Sequence, residues 1–291
     1  MLRSLSAVLA LASASMFSTL SAQIVGMGTF IHVVKDLDKT IQFYGTGLGL
    51  EMRNPGPPPA FSANPLVEDL YDAKGSQSRV AVFKVPGSPL GLEFVEFKGI
   101  SQTPVRRELQ DPGANVLVMP VSDAGVTMAR LKENGATVVN ATTVADPDGF
   151  FIEFAPSAAG ATRLLLTVDK LDQTLHVFHD LLGFQPEITM FAVSLQRSKA
   201  KVPGTDFEVE FRGFGAGKRP VAAAIHDPGS GVLRLMTPDV DGLLQKLKAA
   251  GVPVASARGE AASLNGRHFV ILRDPDNFFF QLVPGPAASA K

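Results

Sequence analysis

The 291-residue chain contains no cysteine. That absence excludes disulfides, a thiol nucleophile, a thiolate metal centre and a lipid-modified cysteine anchor. It also lacks any basic run, and its formal net charge is −1. The clustered Lys and Arg that nucleic acid requires are missing, so no nucleic-acid partner is expected. No serine stands in a Gly-x-Ser-x-Gly elbow, which removes that form of nucleophilic catalysis. No glycine loop has phosphate-binding context either: Gly26-Met-Gly28 precedes a strand and Gly45-Thr-Gly-Leu-Gly49 closes a helix. A long apolar run is absent outside the first two dozen residues.

Those first residues have a different character. After Arg3 the next charged residue is Lys35, and Ala7-Val-Leu-Ala-Leu-Ala12 forms a short apolar stretch ahead of the small pair Ser21-Ala22. The layout predicts a signal peptide over 1–22, cut before Gln23, and a soluble mature protein that is periplasmic or extracellular with no integral membrane segment. The chain as a whole, 45% hydrophobic and 19% charged, has the composition of a globular protein with a sizeable core.

Self-similarity organises the residues that follow the expected signal segment. Val34-Lys-Asp-Leu-Asp-Lys-Thr40 returns as Val168-Asp-Lys-Leu-Asp-Gln-Thr174, and Gly47-Leu-Gly-Leu50 as Leu181-Leu-Gly-Phe184, both 134 residues later. Asp111-Pro-Gly113 returns as Asp227-Pro-Gly229. Asp146-Pro-Asp-Gly-Phe-Phe-Ile-Glu153 returns as Asp274-Pro-Asp-Asn-Phe-Phe-Phe-Gln281. Each half divides again into two units of one design: a β-rich run, an acidic helix start, an amphipathic helix closed by glycine, then further strands. Helices are predicted from Asp36, Asp123, Asp169/Lys170 and Asp239, ending at Gly49, Gly135, Gly183 and Gly251. Four βαβββ units follow, with 24–155 and 162–285 as domains, 156–161 as a linker and 286–291 as a tail.

This organisation resembles the vicinal oxygen chelate superfamily, the glyoxalase/bleomycin-resistance/extradiol-dioxygenase proteins. The resemblance rests on Asp36-Leu-Asp-Lys-Thr-Ile-Gln-Phe-Tyr44 with its following Leu-Gly-Leu-Glu, and on the Asp-Pro-Asp-Gly-(x)3-Glu ending, present once intact and once altered. It implies an α+β fold in which four βαβββ modules form two tandem domains. Members include lyases, dioxygenases, epoxide-opening resistance enzymes and drug-sequestering binders, so the fold leaves function open.

The resemblance also implies four metal-ligand positions per cleft, on the first and last strands of each unit and usually His, Glu or Gln. The first-strand positions carry Thr29, Val116, Arg163 and Val232, and the last-strand positions Glu93, Glu153, Phe207 and Gln281. No histidine stands at any of them, whether unit one pairs with two or, as in some relatives, with four. Transition metals favour imidazole, so the metal site reads as degenerate. The expected cofactor is none, or a divalent cation held by oxygen ligands at Glu93 and Glu153, which share a cleft if units one and two pair.

Alternation along the strands sends Arg163, Leu165 and Thr167, and Val232, Arg234 and Met236, to the cleft side. With units three and four paired, Arg163 and Arg234 share a cavity that suits an anion, or else Glu208 or Glu210 supplies internal ion partners. His32 points with Phe30 and Val34 toward the helices and reads as structural. His176 and His179 lie beside a polar helix face, and His268 is a candidate polar contact. Pro55-Gly-Pro-Pro-Pro-Ala60 is a stiff loop, a lid or ordinary surface.

The expected function is small-molecule binding in an apolar cleft, with Thr29, Arg163, Arg234 and Gln281 as ligand-binding residues. A divalent-cation-dependent lyase or dioxygenase is the alternative, and a homodimer is left open.

Overall fold

The computed structural model describes residues 24–191, 196–214 and 217–286. The expected signal segment 1–22 and almost all of the expected tail lie outside the described residues. Unit one comprises β1 (Gly26–Val34), α1 (Leu37–Ile41) continued by a π-helical turn over Gln42–Gly47, β2 (Glu51–Met52), α2 (Pro65–Leu70), β3 (Gln77–Lys84) and β4 (Gly91–Lys98). Unit two comprises β5 (Asn115–Val121), α3 (Ala124–Glu133), β6 (Thr137–Val138), β7 (Thr143–Ala145) and β8 (Phe151–Pro156). Unit three has β9 (Arg163–Val168), α4 (Leu171–Leu175) with a π-helical turn over His176–Leu181, β10 (Gln185–Phe191), β11 (Gln196–Lys201) and β12 (Glu208–Gly213). Unit four has β13 (Gly231–Thr237), α5 (Val240–Ala249), β14 (Ala262–Leu264), β15 (Arg267–Arg273) and β16 (Phe279–Pro284).

Local chemistry places the helices. The carboxylates of Asp36, Asp123 and Asp239 accept from the backbone N–H of Lys39, Val126 and Gly242 and so cap three first turns. The third unit differs, because Lys170 occupies the cap position and makes no side-chain cap. Gly49, Gly135, Gly183 and Gly251 all adopt positive φ just past their helices.

Two eight-stranded sheets result, and their composition settles which units pair. One runs β14-β15-β16-β13-β1-β4-β3-β2 and the other β10-β11-β12-β9-β5-β8-β7-β6. Unit one therefore joins unit four through antiparallel β1 and β13, and unit two joins unit three through β5 and β9. Units one and two contribute to different sheets, as do units three and four.

The helix-bearing faces of both sheets share one core. Phe30, Leu117, Leu164 and Leu233 belong to it, as do Tyr44, Phe178 and Leu247 from the helices. Two separate apolar clusters cover the opposite faces: Ile31, Val33, Val95 and Val232 on the first sheet, and Val116, Val118 and Leu165 on the second. The strand phase expected for Arg163, Leu165 and Arg234 is the phase observed. Among the described residues no helix is long and apolar enough to cross a membrane.

Turns within units two and four tie the sheets together. Asp146 and Asp274 each receive two backbone N–H groups of their own turn on one carboxylate oxygen. The second oxygen of Asp146 accepts from the Tyr44 hydroxyl at 2.9 Å and stands 3.4 Å from His32 Nε2. Burial works against charge on both His32 and Asp146, yet their attraction raises the pKa of His32 and lowers that of Asp146. His32 is thus a buried structural partner of a turn.

Candidate functional site

The first sheet carries a cleft whose floor is polar at one point. Thr29 Oγ1 donates to Glu93 Oε2 at 2.9 Å. The Arg234 guanidinium lies across both: Nη1 donates to Thr29 Oγ1 at 2.9 Å and to Glu93 Oε2 at 2.8 Å, and Nη2 to Glu93 Oε1 at 3.1 Å. Nε donates to Gln281 Oε1 at 2.8 Å. Burial opposes the charge of Arg234, but Glu93 more than restores it and holds its pKa above the ordinary arginine value.

Backbone geometry admits this side chain. The β1–β13 pairing is irregular between Met27 and Phe30, and a Cβ on Gly28 would come within 2.9 Å of Arg234 Cδ. Gly28 thereby leaves room for the arginine stem. The rest of the cavity, about 310 Å³, is apolar apart from Glu93, Arg234, Gln281 and the Tyr71 hydroxyl. Its wall is made by Leu66, Val67, Leu70 and Tyr71, which α2 and its C-cap lay over the sheet.

Thr29, Arg234, Gln281 and Glu93 are therefore brought together, by the pairing of units one and four. Glu153 is not with them. It lies on β8 of the second sheet, so the expectation that Glu93 and Glu153 share a cleft is corrected: units one and two do not share a sheet. The expectation that Arg163 and Arg234 face one cavity is corrected for the same reason, since β9 and β13 lie in different sheets.

Register also replaces Phe207. In the four units the last-strand residue stands opposite a first-strand residue: Glu93 opposite Ile31, Glu153 opposite Val118, Gln281 opposite Arg234 and Glu210 opposite Leu165. Phe207 precedes β12, and Glu210 holds the position. The match of Glu96-Phe-Lys-Gly99 to Glu210-Phe-Arg-Gly213, which points to Phe207, is three residues out of structural phase. Glu210 is fully buried and pairs with Arg163, Arg197 and Arg212.

Sequence reading also missed α2 as the wall of the cleft. Its signal was present: Asn64 caps Leu66 N–H, Pro65 opens the helix, and Leu66, Val67 and Leu70 lie on one face. The proline-rich stretch before it is largely exposed. His268 pairs with Asp241 at the surface, and His176 and His179 both pair with Asp180. A larger cavity, about 580 Å³, lies on the helix side between the start of α4 and the end of α5, but none of the strand positions discussed above lines it.

Four βαβββ units, paired across two open sheets with polar residues at matched strand positions, define a protein of the paired-module, open-cleft class. The chain belongs to the Glyoxalase/Bleomycin resistance protein/Dioxygenase superfamily, whose model matches residues 26–154 and 160–282. It is similar in fold to glyoxalase I from Zea mays, at 14% identity and a TM-score of 0.61, covering 91% of this chain and 92% of that one. It is likewise similar to a putative dioxygenase from Bacillus subtilis, at 15% identity and a TM-score of 0.56, covering 91% and 86%. No curated protein matches the chain.

The family implies a divalent metal at the cleft floor, and the residues present do not fit one. Both oxygens of Glu93 already accept from Arg234, and a cation cannot share them without displacing a guanidinium of like charge. Among the described residues no group of three or more His, Asp or Glu is placed to hold a metal ion.

Proposed function

We propose that this protein is an exported small-molecule binder that uses the apolar cleft of the first sheet, with an internal guanidinium standing where metal-dependent relatives place a cation. The Arg234–Glu93 pair carries the reading. It neutralises the cleft floor, so the ligand that suits it is uncharged and mostly apolar. Hydrogen-bond donors remain at that floor: the Gln281 amide nitrogen and the Tyr71 hydroxyl have no partner among the described residues. A carbonyl or ether oxygen on the ligand matches them.

A neutral solvatochromic dye with a carbonyl group, Nile red, tests this. The protein is expected to bind it in the presence of EDTA, and Val67→Trp, which fills the cavity from α2, is expected to weaken binding at least about tenfold, the equivalent of 1.4 kcal/mol. Circular dichroism checks that the variant is folded. Equal binding by folded Val67→Trp, or binding abolished by EDTA, would remove the reading.

Export is supported by the charge layout before Lys35. Intact-mass measurement on protein recovered from outside the cytoplasm is expected to give a chain starting at or near Gln23. A recovered chain that retains Met1–Ala22 overturns export by this route.

A further inference from the structure

The second sheet presents a face built on the same register, but its chemistry is different. Glu210 takes the place that Glu93 has in the first sheet, since Leu165 and Ile31 are repeat-equivalent and stand opposite them. Around Glu93 the surrounding positions are Thr29 on β1, Val95 two residues along β4, and Val80 opposite Val95 on β3. Their counterparts around Glu210 are Arg163, Arg212 and Arg197, the last two also directly opposite each other. One threonine and two valines on the first sheet are three arginines on the second.

Three guanidiniums converge on a single carboxylate. Arg163 Nε donates to Glu210 Oε2 at 3.1 Å, and Arg197 Nη2 to the same oxygen at 3.1 Å. Arg212 donates to Oε1 through Nε at 3.2 Å and Nη2 at 2.8 Å. Arg197 Nε stands 2.7 Å from Oε1 at an angle too poor for a hydrogen bond. Burial opposes the charge of Glu210, but Arg212 and Arg197 hold its pKa below the usual carboxylate value. The glutamate is ionised and neutralises one of three cations; Glu153, two strands from Arg163 on the same face, makes no ion pair with them among the described residues.

Donors remain on the outward side. Both Nη atoms of Arg163 and the Nη1 atoms of Arg197 and Arg212 have no partner among the described residues, while their side chains keep 11%, 34% and 22% of their exposure. Like-charged groups held this close repel unless an anion is shared among them. In the first cleft one arginine meets one glutamate, and no surplus arises.

We infer that this face of the second sheet is an anion site, with Arg163, Arg197 and Arg212 binding a small oxyanion, a phosphate or carboxylate group, on a platform fixed from beneath by Glu210. The two sheets then divide their ligands by charge. This inference does not depend on what the first cleft binds.

Isothermal titration at constant ionic strength tests it, with inorganic phosphate and malonate as separate probes and chloride as the control. The full-length mature protein is expected to bind at least one of the two oxyanions, and the better binder identifies the group. Arg197→Gln, at the most exposed of the three, is expected to weaken that affinity at least about tenfold, and Arg212→Gln to do the same. Arg234→Gln, in the first cleft, is expected to leave it unchanged. The inference fails if neither oxyanion binds more tightly than chloride, or if the Arg197 and Arg212 variants, shown folded by circular dichroism, bind as the wild type does. Loss of anion binding in Arg234→Gln alone would also overturn it, by placing the site in the first cleft.

Discussion

Glu210→Ala is expected to destabilise the protein by about 3–5 kcal/mol at neutral pH, the range for removing one partner of a buried ion pair. Its carboxylate is fully buried and lies beneath three guanidiniums, so truncation leaves three like charges gathered over an apolar floor of Val116, Val118 and Leu165. Urea unfolding at pH 7 measures the loss. Because the pKa of Glu210 is depressed in the folded protein, its contribution is fully present above the unfolded value and fades as pH falls through the folded one. The gap between variant and wild type is therefore expected to narrow only well into acid. A gap below about 1 kcal/mol at pH 7, the scale of exposed ion pairs, would show that the arginines do not depend on the glutamate.

Asp274→Asn is expected to do the opposite and stabilise the protein at alkaline pH. The repeat explains why. Asp146 has His32 and Tyr44 beside it, whereas the equivalent positions of the second half, 134 residues on, are Leu166 and Phe178. Asp274 keeps its two turn hydrogen bonds but has no cation paired with it among the described residues, and burial, reinforced by the neighbouring Asp276, pushes its pKa up to about 8.

The folded state thus holds a proton that the unfolded chain has already lost above pH 4. Stability contributed by this group is complete below the unfolded pKa and is lost as pH rises through about 8. Asparagine retains an acceptor for the Asp276 and Phe278 N–H groups and carries no charge to bury. A tenfold difference in proton affinity between the folded and unfolded states is worth about 1.4 kcal/mol, so the gain above pH 8 is at most about 6 kcal/mol and vanishes at pH 4. Chemical unfolding of both proteins at pH 4, 6 and 9 checks it. A variant no more stable than wild type at pH 9 would mean that Asp274 is solvated or paired in solution.

Much of the fold is legible in the residues because its determinants are local. Asp36, Asp123 and Asp239 cap helices by reaching N–H groups three residues ahead, and glycine closes each helix where φ must be positive. Alternation in Leu164-Leu-Leu-Thr167 and Leu233-Arg-Leu235 assigns each side chain to the core or the cleft face without reference to any partner strand. These features need only a few consecutive residues, so repetition in the sequence reports them directly.

The candidate sites are legible only in part. Thr29, Glu93, Arg234 and Gln281 each show in the sequence as cleft-facing polar residues, but nothing local says that they meet. That depends on whether β1 finds β5 or β13, a choice between two strands of similar apolar pattern made by the packing of whole units. The same choice separates Glu93 from Glu153 and Arg163 from Arg234. Phe207 was placed by a short match, and a strand register is fixed by pairing across the sheet, here Glu210 against Leu165.

By itself, then, the sequence determined the four βαβββ units, their helix caps, the facing of each strand and the lack of imidazole at the ligand positions, because each follows from a residue and its near neighbours. Tertiary structure decided which units share a sheet and therefore which charges share a cleft. It set one arginine against Glu93 and three against Glu210, an assignment made by pairing between strands far apart in the chain.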